Sequence, residues 1–349
     1  DANGNPVLDA NGSPTYSYVN PVSPDFNPVG LNDLDTYLTK ITRITTTPFA
    51  QIKFLNGFTA KSTVSLDYSA VRESQFYNLL HGNGVGVKGR GYRYSKEDIT
   101  TTYINTLTYN KSIGKHNFDV LVGQEAYRNK FDGITAMATG YGFAGQTELV
   151  SASTPGTASS SYTEARFESY FSRANYDYEG KYFLSGSFRR DGFSAFGPDN
   201  KFGNFWSVGG AWRLKQENFM KDVRFIDDLK LRASYGVTGN NDIGRYAAQG
   251  LYSLANAYEG VAGMAYSQLA NSELAWEKSK TTEFGLEFSV LNRRINGEIS
   301  YFQKKSDGLL FAKPLSRTTG FTSITTNLAE MNNTGIELAI NASPIRTTD

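Results

Sequence analysis

The chain has 349 residues, with 35 Lys+Arg against 34 Asp+Glu and a formal net charge of +1. That balance excludes the basic excess of a nucleic-acid binder and the charge block of an acidic disordered tail. Hydrophobic residues make up only 39%, yet aromatics reach 14%, too many for a disordered chain, and no apolar run is long enough for a membrane helix.

Cysteine is absent, which excludes disulfide frameworks, Cys-based zinc sites and thiol nucleophiles. The two histidines, His81 and His116, stand far apart, so neither a metal centre nor a Ser-His-Asp set is expected. The sequence reads as non-enzymatic, with no catalytic, metal-binding or cofactor-binding residue. It begins at Asp1 without a Met or targeting segment and ends just past Ala342-Ser343-Pro344, so it reads as an internal piece of a longer protein.

Residues 1–43 read as a loop. Pro6, Pro14, Pro21, Pro24 and Pro28 crowd its start, and Asp-Ala-Asn-Gly occurs at both 1–4 and 9–12, a signal for tight turns and a small hairpin. Asp-x-Asn-Gly also resembles half of a calcium loop, but the later acidic ligands are missing. From residue 44 alternation takes over. Val64, Leu66, Tyr68 and Ala70 fall on one face of a strand, and Thr63, Ser65, Asp67 and Ser69 on the other. Counted this way the chain holds about eleven strands. Their spans are 44–55, 58–78, 98–111, 117–133, 162–178, 181–191, 203–214, 227–238, 278–291, 293–306 and 329–342.

Between the strands, Asn56-Gly57, Ser112–His116, Glu179-Gly180 and Leu291–Arg293 read as short turns, and Gln216–Ile226 as a short connection with helical character. The segments 79–97, 134–161, 192–202, 239–277 and 307–328 read as long loops. Gly84-x-Gly86-x-x-Gly89 matches a dinucleotide fingerprint, but the required strand-then-helix context is missing, so it reads as loop. Asp227 and Asp228 point apart in an extended segment, and Glu283 and Glu287 lie too far apart for a coupled catalytic pair.

Long strands joined in a short-long rhythm are what an outer-membrane β-barrel shows, with short periplasmic turns and long extracellular loops. A soluble all-β glycan-binding protein remains open if the apolar faces pack together between two sheets. On the barrel reading Val64, Leu66, Leu229, Leu231, Phe284, Leu286, Phe288, Ile336 and Leu338 face outward. Tyr109, Phe118, Tyr176, Tyr178, Tyr182 and Trp212 gather beside turns as an interfacial girdle. Arg189 shares a face with Phe183, Ser185 and Ser187, the lumen side, where it contacts substrate or joins a charged network. Phe193, Phe196, Tyr246, Tyr252 and Tyr258 lie on long segments at one end, where aromatics stack on a substrate or pack against a partner.

Several stretches carry a family resemblance. Arg173–Leu184, Phe188–Gly197 and Phe205–Arg213 are similar to the barrel of SusC/RagA-type TonB-linked outer-membrane proteins, as are Glu217–Met220, Leu229–Gly236 with Thr238-Gly-Asn240, Trp276-Glu-Lys278 and Asn333–Leu338. The resemblance is strongest over residues 165–343. It implies an outer-membrane transporter of Bacteroidota (Gram-negative cells) that takes up glycans or peptides, with a roughly 22-stranded barrel around an N-terminal plug. It further implies energy from TonB, acting through the missing N-terminal part, and a SusD-like surface lipoprotein as a lid. The chain then divides into an extracellular-loop-like segment (1–43), a partial barrel (44–343) embedded in outer-membrane lipid, and the start of a truncated turn (344–349). Plug and C-terminal strands are absent. A passive porin or adhesin barrel stays as the alternative. The matching motifs are structural, so no site residue carries across.

Overall fold

The computed structural model describes residues 5–12, 14–15 and 26–343. The first Asp-Ala-Asn-Gly copy and the 344–349 turn lie outside them. The second copy forms the expected tight turn: the Gly12 amide donates to the Asp9 carbonyl at 3.0 Å, with a bridge between Leu8 and Pro14.

A short helix, α1 (Pro28–Leu34), is followed by fourteen strands: β1 (Thr36–Thr46), β2 (Phe49–Phe54), β3 (Phe58–Tyr77), β4 (Arg90–Ile113), β5 (His116–Tyr141), β6 (Ala152–Tyr178), β7 (Tyr182–Phe193), β8 (Phe202–Arg213), β9 (Ile226–Asn240), β10 (Leu251–Tyr258), β11 (Val261–Gln268), β12 (Glu277–Val290), β13 (Ile295–Pro314) and β14 (Ser323–Ala342). Twelve belong to one open sheet in the order β1-β3-β4-β5-β6-β7-β8-β9-β12-β13-β14, with β2 also on β3, while β10 and β11 form a separate hairpin. All-β architecture with sequential strands neighbouring one another is as expected.

The differences have physical causes. The expected strand over 44–55 divides at Pro48, which donates no ladder hydrogen bond; β1 pairs with 66–76 of β3 and β2 with 58–63. β1 and α1 both begin inside the stretch that reads as loop. β4, β5, β6, β13 and β14 run further than the alternation does, into 134–141 and 152–161 for example. A period-two signal needs one apolar and one polar face, and where the two faces are alike, as in the small and polar run 152–161, a strand continues without it.

The chain forms two compact units. In the first (1–46, 66–101 and 129–164), Asn27 caps α1 by accepting from the Val29 amide at 2.9 Å, with Pro28 at the first helical position. Asp35 accepts from the Asn78 backbone at 2.8 Å and from its side chain at 2.6 Å, and Asn78 in turn accepts from the Leu80 and His81 amides. The His81 ring is buried against Phe26 and contacts the Asn27 carbonyl, a structural role.

The second unit (47–65, 102–128 and 165–349) shows its organisation in the strand register. Tyr178, Tyr182, Trp212, Leu231, Leu286, Ile299 and Leu338 are successive cross-strand partners over seven strands. The next row on the same face is Tyr176, Leu184, Gly210, Ala233, Phe284, Tyr301 and Ile336. This apolar face is uncovered: Ile336 is 71% exposed, Leu338 62% and Phe284 56%. No second sheet packs on it among the described residues, unlike the inner face of a sandwich. The opposite face carries ions instead. Arg232 reaches Glu283 at 2.8 Å, Glu298 at 3.6 Å and Glu287 at 3.9 Å, and Lys230 reaches Glu287 at 3.3 Å. Gly285 lies directly opposite Arg232, and a Cβ there would overlap the guanidinium stem.

Candidate functional site

At the short-turn end of the second unit the strands close in tight loops. Phe54 pairs with Phe58 and Tyr178 with Tyr182, so each expected two-residue turn has three residues, 55–57 and 179–181. Between Val290 and Ile295, Leu291, Asn292 and Arg293 are all left-handed, with φ of 57°, 57° and 60°. Such backbone costs about 1 kcal/mol or more per non-glycine residue. The Arg293 amide donates to Asp227 at 2.8 Å and the Leu291 amide to the Phe225 carbonyl at 3.0 Å, which hold the turn.

The aromatics expected beside these turns lie together on the apolar face. Phe118 meets Tyr176 at 5.2 Å, His116 meets Tyr178 at 4.9 Å, and Tyr178, Tyr182 and Trp212 continue at 6.3 and 6.4 Å; Tyr109 sits against Phe58 at 4.6 Å. Sequence alternation did not single out the residue that fastens them. Glu217, on the β8–β9 connection, accepts from the Tyr182 hydroxyl at 2.5 Å and the Trp212 indole at 3.0 Å, and pairs with Lys181 at 3.4 Å. The Tyr182 hydrogen bond, then that of Trp212, holds its carboxyl below the usual carboxylate range.

The opposite end of this unit holds most of the candidate contact residues. Phe193 stacks on Phe167 at 4.1 Å and meets Phe196 edge-on at 5.7 Å; Phe196 and Phe205 close on Trp276 at 4.9 and 5.3 Å. With Ala165, Ala195, Ala248 and Leu274 they form a buried cluster. Backbone and side-chain hydrogen bonds tie the long connections to it: Gly197 to the Leu274 carbonyl at 3.0 Å, Ala248 to Ala195 at 3.2 Å and the Trp276 indole to Lys201 at 2.9 Å. Asn327 bridges Ala275 in both directions, at 2.8 and 2.9 Å.

The six candidates therefore separate. Phe193 and Phe196 are brought together, buried at 5% and 2% exposure. Tyr246 is half-buried two residues before Ala248 of that cluster, its carbonyl accepting from Gln268 at 2.9 Å. Tyr252 packs on Tyr266 at 4.2 Å on the β10–β11 hairpin, and that hydrogen-bonded contact pushes its hydroxyl up. Tyr258 stands at the hairpin tip, 78% exposed, next to the Glu259-Gly260 turn. Arg189 lies apart from all of these in an ion network, 3.0 Å from Glu125 and 2.5 Å from Asp191, over the Phe171 ring. Trp276 and Asn327 were not among the candidates, although a lone Trp in a polar connection is a signal for the first. No group of three His, Cys, Asp or Glu side chains that could hold a metal occurs among the described residues.

Residues 1–346 match the family model described as TonB dependent receptor-like, beta-barrel. The chain is 33% identical over 310 residues to TonB-dependent receptor P39 of Formosa agariphila, covering 85% of this chain and 29% of that protein. To TonB-dependent receptor SusC of Bacteroides thetaiotaomicron it is 35% identical over 278 residues, covering 75% and 27%. It thus spans under a third of the length of these relatives. Among solved structures, the RagAB peptide transporter superposes with a TM-score of 0.86 at 26% identity, over 95% of this chain and 38% of that one. The siderophore receptor PiuA of Acinetobacter baumannii, at 16% identity and a TM-score of 0.51 over 88% and 45%, shares the fold alone.

Proposed function

Because the chain belongs to the TonB dependent receptor-like β-barrel family, we propose that it is the wall of an outer-membrane importer of glycan or peptide nutrients, driven through TonB and covered by a SusD-like lipoprotein. The observation that carries this reading is the pair of faces in the second unit. Rows of uncovered Leu, Ile, Phe, Tyr and Trp suit hydrocarbon, and the ion-paired face behind them suits a watery or protein-filled interior. The role is transport rather than catalysis.

Substrate and lid contact are assigned to the long-connection end. Tyr252 and Tyr258 offer aromatic rings there, whereas Phe193 and Phe196 hold the connections in place and the Tyr246 carbonyl anchors Gln268 at the end of β11. Arg189 tunes the interior charge. The test is uptake by cells carrying the full-length protein. Growth on the cognate glycan or peptide should require TonB, and the protein should fractionate with the outer membrane and show heat-modifiable gel mobility. Uptake independent of TonB would replace the importer with a passive porin, and extraction without detergent would remove the membrane reading altogether.

A further inference from the structure

Along β3 the face that carries Val64 and Leu66 changes character further on, in the first unit. Arg72 lies six residues past Leu66 on that face, about 20 Å along the strand. Its direct partner on β1 is Lys40. Like charges directly opposed across a ladder repel each other. Among the described residues neither Lys40 nor Arg72 makes a hydrogen bond or ion pair, and both are exposed. They line a groove of about 550 Å³ together with Arg93, Leu38, Ile134 and Ala136, and with the carboxylates Glu73 and Glu148. Arg93 is already engaged, 3.1 Å from Glu148 and 2.7 Å from the Thr147 carbonyl, so the two free cations are Lys40 and Arg72.

We propose that this groove binds the phosphate-bearing headgroup of an anionic membrane lipid, with Lys40 and Arg72 as the phosphate ligands. With Arg93 and Glu148 paired to each other, Lys40 and Arg72 outnumber Glu73 and leave a net positive lining, and a pair of adjacent cations matches a phosphate. The apolar wall of Leu38, Ile134 and Ala136 fits an amphipathic molecule rather than a free ion. The inference rests on the transporter reading, which makes the Val64 and Leu66 face the lipid-facing one. The groove then lies where that face stops being apolar, bordered by the long connection 142–151 through Glu148, at the level of an outer-leaflet headgroup.

The full-length protein purified in detergent would be titrated with diphosphoryl lipid A, with the same lipid after phosphate removal, and with inorganic pyrophosphate. Diphosphoryl lipid A should bind best. Lys40→Gln with Arg72→Gln should weaken it by about tenfold or more, whereas Lys40→Arg with Arg72→Lys should retain it. If the neutral double variant fails to assemble, as judged by heat-modifiable mobility, Arg72→Gln alone gives the reading. Equal binding by wild type and neutral variants overturns the site, as does equal binding of the dephosphorylated lipid or a preference for pyrophosphate. Fractionation of the wild-type protein tests the transporter reading separately, since binding in detergent does not depend on where the protein resides.

Discussion

The two ends of the second unit are built by opposite means. At the short-turn end, structure follows from strands that are neighbours in the sheet: three-residue loops with left-handed residues, a chain of aromatics on adjacent strands, and one carboxylate that fastens Tyr182 and Trp212. At the long-connection end, structure is non-local. Phe193, Phe196, Phe205, Leu274 and Trp276 come from three separate stretches of chain and meet in one buried cluster. The turn end therefore forms as soon as neighbouring strands pair, whereas the loop end requires distant segments to arrive together.

The largest expected effect breaks the loop end alone. Trp276→Ala empties a buried site and removes the indole bond to Lys201, a loss of about 3–5 kcal/mol for a buried Trp. Hydrogen exchange should speed up through 194–201 and 241–276 and stay unchanged at 179–181 and 291–294. Uniform acceleration at both ends would show that they are one cooperative unit.

A second change acts between the ends, on the uncovered face. Leu286→Arg places a charge between Leu231 and Ile299, at a cost of about 2–4 kcal/mol at a bilayer midplane. The full-length protein should assemble less or lose heat resistance. The comparison residue is Glu287, one position along. Reversal to Arg is no mild control there, because Glu287 pairs with Lys230 and Arg232 and a third cation would repel both. Glu287→Gln is the appropriate control and should be milder than Leu286→Arg. Equal gel mobility of the two variants would mean that the faces are misassigned.

The turn end can be broken at Gly57. Its φ is +103°, and a Cβ would overlap the Asn110 carbonyl, while the Asn110 amide donates to the Gly57 carbonyl at 2.9 Å. Gly57→Ala should cost about 1–3 kcal/mol. The loss should appear as faster exchange at 55–58 and 109–111, with the Trp276 cluster unaffected.

Legibility follows the same division. Val64, Leu66, Leu286 and Leu338 were readable because one polar and one apolar face leave a period-two trace, and the girdle because its aromatics adjoin turn residues. The extension of β6 over 152–161 left no trace, since Ala, Ser, Thr and Gly on both faces do not alternate, and that of β13 over 307–314 left none because Leu309, Leu310 and Phe311 are consecutive. The β10–β11 hairpin hides inside a long segment because apolar residues fall on both faces of its strands, as Leu251 and Ala257 against Tyr252 and Leu254. Among the candidate contacts, aromatic identity marked Phe193, Phe196, Tyr252 and Tyr258 alike. Only the fold separates the buried pair from the exposed ones, because burial of a loop residue depends on segments far away in sequence.

The smallest expected effect is a pH dependence at the turn end. Glu217 has a folded-state pKa held below the usual carboxylate range by Tyr182 and Trp212. A carboxylate depressed in the folded state stabilises it above the unfolded value, and that contribution is lost as pH falls through the folded value. The fastening of Tyr182 and Trp212 should thus be complete at neutral pH and fade in acid, below the ordinary Glu range. Glu217→Gln keeps an acceptor but loses the charge and the ion pair with Lys181. Thermal transitions of wild type and variant should differ at pH 7 and converge as the solution is acidified. A gap that stays constant across that range would mean that the depressed pKa has no thermodynamic weight. The turn end would then be held by backbone geometry and ring packing alone.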